Sequence, residues 1–253
     1  MENKENMNGN KNEKTGLVLE GGGLRGIFTA GVLDFFLEKN IEFDGCIGVS
    51  AGSCHACSYL SKQYKRAFNV SVDYLDDKRY CSMHSLITTG DLFGVDFVYG
   101  EIPDKLNPID NETFMKSRTK FQAVITNCRT GEAEYPEVKD FRTDTVYIRA
   151  SSSLPFLSKM VKINGELYLD GGVSDSIPIK KSIENGNIKN VIIMTRDKKY
   201  RKKQSKLGKI SAIRYKKYPK FVELMNTRFS RYNEILEYIY ELEKQGKVFI
   251  IQP

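Results

Sequence analysis

The sequence has few histidines and no long apolar stretch. Its two histidines are His55 and His84, so no histidine follows position 84. Hydrolases whose triad runs in the chain order serine, acid, histidine are therefore excluded for any acid in the second half of the chain. No run approaches the roughly 18 apolar residues of a membrane-spanning helix, so we expect no transmembrane segment.

Two further shortages concern location. Residues 1–14 are mainly Asn, Lys and Glu and lack the apolar core of a signal peptide, so we predict a disordered tail. Cysteine occurs five times, an odd number that fits a reducing compartment better than a disulfide framework. Together these features predict a cytoplasmic protein.

The remaining residues, 15–253, are long enough for one hydrophobic core and are predicted to form a single domain.

The formal net charge of +7 is concentrated in one stretch. Residues 196–220, here called the basic segment, contain twelve Lys or Arg and one acid, whereas 27 cationic and 31 acidic residues lie outside it. Such an excess attracts anionic surfaces, and we expect peripheral contact with an anionic membrane in preference to nucleic acid. A solvated loop and helix face is the open alternative. Apolar residues at alternating spacings of three and four then predict an amphipathic helix over residues 219–245.

The most informative stretch is Gly48-Val49-Ser50-Ala51-Gly52. An apolar strand precedes it and residues 51–63 can form a helix, so the serine lies at a strand-to-helix turn of the nucleophile-elbow pattern G-x-S-x-G. So sharp a turn strains the serine backbone and needs glycine at 48 and 52, because strand and helix approach closely there. The pattern also arises by chance and needs corroboration.

A glycine-rich loop precedes the elbow, with the sequence Gly21-Gly22-Gly23-Leu24-Arg25-Gly26. It joins an apolar strand to a helix, and the strand of the elbow follows, which gives a β-α-β unit and hence a parallel sheet. Successive glycines can offer backbone N–H groups to an oxyanion. The loop also satisfies the dinucleotide fingerprint G-x-G-x-x-G, but the acid of that fingerprint belongs where Ser50 stands. Dinucleotide binding is the main rival interpretation.

The spacing of Cys54 and Cys57, followed by Cys81 and His84, is that of a zinc site. Cys54 and Cys57 fall within the helix predicted after the elbow, where small buried side chains are expected. We therefore favour core packing and predict no metal.

A serine hydroxyl is a weak nucleophile that needs a base. Since His55 lies five residues into the helix, on a face pointing away from the hydroxyl, a carboxylate is the better candidate. Asp170 fits best, because it ends a predicted strand and is followed by Gly171 and Gly172, which allow close backbone approach. Asp-Gly-Gly alone is only a turn signal.

Taken together, GGGLRG, GVSAG and DGG resemble the motifs of the patatin-like phospholipases, in particular single-domain bacterial members. Residues 149–156 (RASSSLPF) also resemble that family's Ala-Ser-Ser-x-x-Pro stretch, and the likeness covers roughly residues 15–195. The resemblance implies an α/β fold, a three-layer α/β/α sandwich with a mostly parallel central sheet. It also implies hydrolysis of lipid esters without a metal or other cofactor.

By the same resemblance, Ser50 is the nucleophile, Asp170 is the general base of a Ser–Asp dyad, and residues 21–26 form the oxyanion hole, in which Arg25 matches a basic position. We therefore predict a serine acyl hydrolase that cleaves ester-linked fatty acids from lipids through an acyl-enzyme. An acyltransferase or thioesterase with the same dyad is the nearest alternative. A dinucleotide-dependent oxidoreductase and a module that binds anionic surfaces are alternatives of other classes.

Overall fold

A computed structural model describes residues 13–253, so residues 1–12 of the predicted tail lie outside the described residues. Within the described range, no helix is both long and apolar enough to cross a membrane. The predicted cytoplasmic location stays a prediction.

A mixed sheet forms the centre of the molecule. Its strands in residues 13–253 are β1 (Thr15–Leu19), β2 (Gly45–Val49), β3 (Lys120–Asn127), β4 (Ala133–Glu134), β5 (Val161–Ile163), β6 (Glu166–Asp170), β7 (Lys189–Ile193) and β8 (Val248–Ile251). Their spatial order is β5-β6-β3-β2-β1-β7-β8, with β4 paired to β3. Strands β3, β2, β1, β7 and β8 run parallel, whereas β4 and β6 are antiparallel to β3 and β5 to β6.

Helices cover both faces of this sheet. They are α1 (Ile27–Glu38), α2 (Ala51–Leu60), α3 (Arg66–Val72), α4 (Met83–Thr89), α5 (Asn111–Met115), α6 (Phe141–Ser151), α7 (Ile179–Glu184), α8 (Gly208–Arg214) and α9 (Pro219–Lys244). Short 3-10 helices occupy Gly23–Gly26 and Gly171–Val173, and a π-helix occupies Phe97–Leu106.

An apolar core lies on each face of the sheet, because successive side chains of a strand point to opposite faces. On β1, Leu17 and Leu19 pack with residues of α1, α2 and α6, whereas Val18 packs with residues of α7 and α9 on the opposite face. Because both faces are covered, the central strands are apolar at nearly every position. The predicted α/β sandwich with a mostly parallel sheet is therefore confirmed.

The register of the strands places Ser50, the glycine-rich loop and Asp170 close together. Ser50 directly follows β2, and the glycine-rich loop follows β1 beside it. Strand β3 separates β2 from β6, with Val124 opposite Val49 and Ile125 opposite Asp170. Ser50 and Asp170 therefore lie at one level of the sheet, on either side of β3.

Candidate active site

Ser50 occupies a strained turn between β2 and α2. Its backbone has φ 54° and ψ −124°, a conformation that an L-residue adopts only when its surroundings impose it. A Cβ on Gly48 would lie 2.6 Å from the Ser53 Cα, and one on Gly52 would lie 2.6 Å from the Leu19 carbonyl oxygen. Glycine is therefore required at both positions, for the steric reason that the sequence suggested.

Residues 149–156 support both members of the proposed dyad. The Ser50 N–H donates to the Ser151 Oγ at 2.9 Å, and the Asp170 N–H donates to the Ser153 carbonyl at 2.8 Å. The serine-rich motif thus holds the backbones of Ser50 and Asp170, which the sequence did not indicate.

Asp170 is buried beside Ser50. Its Oδ1 accepts a hydrogen bond from the Gly172 N–H at 2.7 Å, whereas its Oδ2 has no hydrogen-bond partner within residues 13–253. Burial raises the pKa of Asp170, and this is opposed by the positive charge of Arg228 and, to a lesser degree, by the Ser50 hydroxyl and the Gly172 N–H. A carboxyl with a free acceptor oxygen and a raised pKa next to a serine is suited to take up the serine proton.

Of the two glycines after Asp170, Gly171 is required sterically and Gly172 leaves little room for a side chain. A Cβ on Gly171 would lie 2.0 Å from the Val124 carbonyl oxygen. A Cβ on Gly172 would lie 3.0 Å from the Asp170 Oδ1 and 3.1 Å from a guanidinium nitrogen of Arg228. They allow β6 to end against β3 while the Asp170 carboxyl stays beside Ser50.

The glycine-rich loop lies against the serine. A Cβ on Gly21 would approach the Ser50 Cβ to 2.9 Å, and Gly23 has φ +56°. In the part of the chain that the structure describes, the N–H groups of Gly22, Gly23 and Leu24 donate to no protein acceptor. Unpaired backbone donors beside a nucleophile can stabilise an oxyanion. Leu24 and Arg25 are exposed, and Gly26 is buried against the His55 ring.

Neither histidine is hydrogen-bonded to Ser50. His55 is buried in α2, and burial lowers its pKa to about 4. His84 lies in α4 and lines a separate surface cavity. Cys54 and Cys57 lie in α2 as predicted, and residues 13–253 contain no group of three or more His, Cys, Asp or Glu arranged to hold a metal ion.

Two cavities of opposite character meet at Ser50. An apolar cavity of about 120 Å³ runs beneath α2 and is lined by side chains such as Val70, Ile102 and Ile148. A polar cavity of about 270 Å³ contains Asp170 and four cationic side chains: Arg25, Arg196, Lys202 and Arg228. Ser50 lines both cavities.

Arg228 is a site residue that sequence reasoning missed. It lies in the middle of α9, where a cation on the polar face of an amphipathic helix carries no particular signal. The packing of α9 against the turn after β6 brings it to Asp170, about sixty residues away along the chain.

The fold and the turn at Ser50 are those of an α/β protein with a nucleophile elbow. A family model described as "Patatin-like phospholipase" matches residues 17–182, and the chain belongs to this family. A second model, described as a domain of unknown function, matches residues 218–253, which include all of α9 and β8.

Three similar proteins match this chain over only part of their own length. "Uncharacterized protein YjjU" of Escherichia coli is 31% identical over 71% of this chain and 51% of its own length. "Lysophospholipase NTE1" of Candida albicans is 28% identical over 72% of this chain and 13% of its own length. "Probable lipid hydrolase 463L" of Invertebrate iridescent virus 6 is 24% identical, over 69% and 65% respectively. The chain thus spans about half of the first relative and a small part of the second.

Among solved structures, VipD from Legionella pneumophila is similar at a TM-score of 0.41 and 15% identity, over 72% of this chain and 50% of that one.

Proposed function

We propose that this chain is a serine acyl hydrolase that cleaves ester-linked fatty acids from lipids with Ser50 and Asp170. The observation that carries the proposal is the strained Ser50 turn beside a buried carboxyl whose Oδ2 is free. Relatives named as a lysophospholipase and a probable lipid hydrolase support the substrate class.

The proposed reaction begins with transfer of the Ser50 proton to Asp170 as Oγ attacks the ester carbonyl. The oxyanion of the tetrahedral intermediate accepts hydrogen bonds from the free N–H groups of the glycine-rich loop. Collapse expels the alcohol, which takes the proton from Asp170, and leaves an acyl-enzyme. Water, deprotonated by Asp170, then attacks the acyl-enzyme, and Ser50 regains its proton as the fatty acid leaves.

The apolar cavity suits the acyl chain. Its walls are mainly aliphatic and aromatic side chains, many of them from α3, the π-helix and α6, and Ser50 is part of its lining. Burial of apolar surface stabilises by about 25 cal/mol per Å², so an alkyl chain placed there contributes substantial binding energy. Residues 66–103 thus supply much of the proposed acyl site.

A lipid extract provides the test of the function. We expect the purified chain to release free fatty acids from a mixed phospholipid extract, with loss of the parent species in mass spectrometry, and Ser50→Ala to release none. If acyl groups move only to added alcohols or arise only from thioesters, the acyltransferase or thioesterase alternative holds instead. Equal release by both proteins would refute the proposal.

The pH dependence should reveal the role of Arg228. Asp170 must be deprotonated to act as base, so activity should fall as pH drops through its pKa. Because the Arg228 cation lowers that pKa, Arg228→Gln should move the acidic limb of the kcat/KM profile to higher pH. Arg228→Lys keeps the charge and should move it less. An unchanged limb in Arg228→Gln would show that the cation does not act on Asp170.

The basic segment is proposed to bring the enzyme to anionic lipid surfaces. Exposed apolar side chains lie at 207, 210 and 213 in and before α8, among exposed Lys and Arg residues. Apolar and cationic groups together on one helix are typical of interfacial binding. Two of the segment's cations, Arg196 and Lys202, instead line the polar cavity beside Ser50. Charge reversal of Lys202 would therefore alter the catalytic site as well as the surface.

A surface variant that spares this cavity tests the membrane contact. Each Lys or Arg near an anionic surface contributes about 1 kcal/mol, so changing four exposed lysines to Glu should abolish sedimentation with anionic vesicles at low salt: Lys199, Lys203, Lys206 and Lys209. The control reverses four exposed lysines elsewhere: Lys39, Lys105, Lys162 and Lys247. Turnover of a small soluble ester should be unchanged in both. Equal loss of vesicle binding in both would mean that net charge alone is responsible.

A further inference from the structure

The polar cavity beside Ser50 gathers cations from four separate parts of the chain. Arg25 comes from the glycine-rich loop, Arg196 follows β7, Lys202 precedes α8, and Arg228 lies in α9. Within residues 13–253, none of the four forms an ion pair with a carboxylate, and the Nε of Arg228 is buried without a hydrogen-bond partner. Cations that converge on a cavity without acidic partners create a strong field for an anion.

The two acids that line the cavity offset only part of the charge of its four cations. Besides Asp170, the lining contains one carboxyl, that of Glu20. Glu20 is buried, and its oxygens accept hydrogen bonds from the Tyr232 hydroxyl at 2.6 Å and from the Thr195 N–H at 2.6 Å. Burial, together with the nearby cations Arg228, Arg196 and Arg25 and against the effect of Glu20, lowers the pKa of Lys202 to about 8. The field at Lys202 is therefore dominated by the neighbouring cations.

The two tyrosine rings that line the cavity each already have a cation over one face. The Arg196 guanidinium lies 4.4 Å from the centre of the Tyr200 ring, and the Lys202 ammonium lies 4.6 Å from the centre of the Tyr232 ring. These cations already occupy the ring faces that would attract a choline. The cavity therefore disfavours a zwitterionic phosphocholine relative to a headgroup that carries net negative charge.

We propose that Arg196 and Lys202, with Arg25 and Arg228, bind the phosphate of the leaving alcohol and select lipids whose headgroup is net anionic. This inference rests on the proposed function, since it assigns the apolar cavity to the acyl chain and the polar cavity to the alcohol side of the ester. Three of the four cations lie beyond residues 17–182, the range of the phospholipase family match, so the proposed selectivity depends on the C-terminal part of the chain.

Three monoacyl substrates with the same acyl chain test the selectivity: lysophosphatidylglycerol, lysophosphatidylcholine and monoacylglycerol. Each is presented at one mole fraction in neutral detergent micelles, so that surface charge does not differ through the carrier. We expect kcat/KM to be highest for the phosphoglycerol headgroup. Arg196→Gln and Lys202→Gln should each lower the ratio of lysophosphatidylglycerol to monoacylglycerol kcat/KM by about tenfold, the effect of one charge-assisted hydrogen bond.

Lys39→Gln and Lys162→Gln are the controls, because they remove exposed lysines that lie outside both the basic segment and the cavity. They should leave the ratio unchanged. A wild-type enzyme without preference among the three substrates would overturn the inference. So would Arg196 and Lys202 variants that lower all three kcat/KM values equally, since that result indicates a structural role.

A binding measurement separates this inference from the proposed function. Inorganic phosphate and glycerol 3-phosphate are titrated calorimetrically into the Ser50→Ala and the Ser50→Ala/Lys202→Gln proteins. Binding of glycerol 3-phosphate that is lost with Lys202 supports the anion site, even if no lipid is hydrolysed and the proposed function fails. If inorganic phosphate binds but glycerol 3-phosphate does not, and the three substrates are hydrolysed equally, the cavity is a site for free phosphate. That result overturns the headgroup assignment. Binding of neither anion overturns the site.

Discussion

Replacing Asp170 with Asn should lower ester hydrolysis by roughly 10²–10⁴-fold, nearly as far as replacing Ser50 with Ala. An amide cannot accept the serine proton, and the members of a catalytic unit fail together. Asn keeps an oxygen acceptor for the Gly172 N–H, which Asp170 bonds at 2.7 Å, so the turn after β6 should survive. Initial rates on a short-chain ester, with circular dichroism to verify folding, measure this effect.

The histidine variants provide the contrast. His55→Gln and His84→Ala should each retain most of the activity, because neither ring is hydrogen-bonded to Ser50. Gln is preferred to Ala at position 55, since the ring packs against Gly26 and a cavity there would disturb the glycine-rich loop. A folded His55 or His84 variant as inactive as Ser50→Ala would exclude the Ser–Asp dyad.

Changing Gly23 to Ala should lower turnover by about 100-fold or more if a backbone donor is displaced. Gly23 has φ +56°, and a Cβ on it would meet no atom within 4 Å, so the loss would come from backbone rearrangement rather than from a clash. Gly22→Ala should have a comparable effect for another reason, because its Cβ would lie 2.7 Å from the Thr195 Oγ1. Single-turnover rates of bound substrate measure the chemical step.

Gly31→Ala is the control for these substitutions. Gly31 is exposed in α1, and its added Cβ would also meet no atom within 4 Å. It should leave turnover unchanged, and lipid binding should persist in all three variants. Loss of binding with normal turnover of bound substrate in Gly23→Ala would show that the loop holds a ligand instead of an oxyanion.

The fold was accessible from the sequence because local patterns determine it. An apolar strand, a helix and the strand of the elbow predicted a parallel sheet, and β1 and β2 pair in parallel within it. The elbow and its glycines could also be predicted, because the steric demands of a strand-to-helix turn act over only five residues. Family membership, predicted from GGGLRG, GVSAG and DGG, is confirmed by the match over residues 17–182.

The cations that line the polar cavity could not be predicted from local sequence patterns. Arg228 and Lys202 reach the cavity through packing of the C-terminal part of the chain, and no local motif distinguishes them from the other cations of that part. The basic segment looked uniform in sequence, but the structure divides it into exposed cations and cations that line the cavity. Tertiary packing determines whether a lysine faces the solvent or the cavity, and this cannot be predicted from the composition of the segment.

The most direct test is labelling with a serine-directed fluorophosphonate, followed by mass spectrometry of the digested protein. We expect one adduct, on Ser50, that is absent in Ser50→Ala and forms much more slowly in Asp170→Asn. The same reagent should label His55→Gln at close to the wild-type rate. Wild-type protein that remains unlabelled, or is labelled on another residue with Ser50 unmodified, would contradict the assignment of Ser50 as the nucleophile.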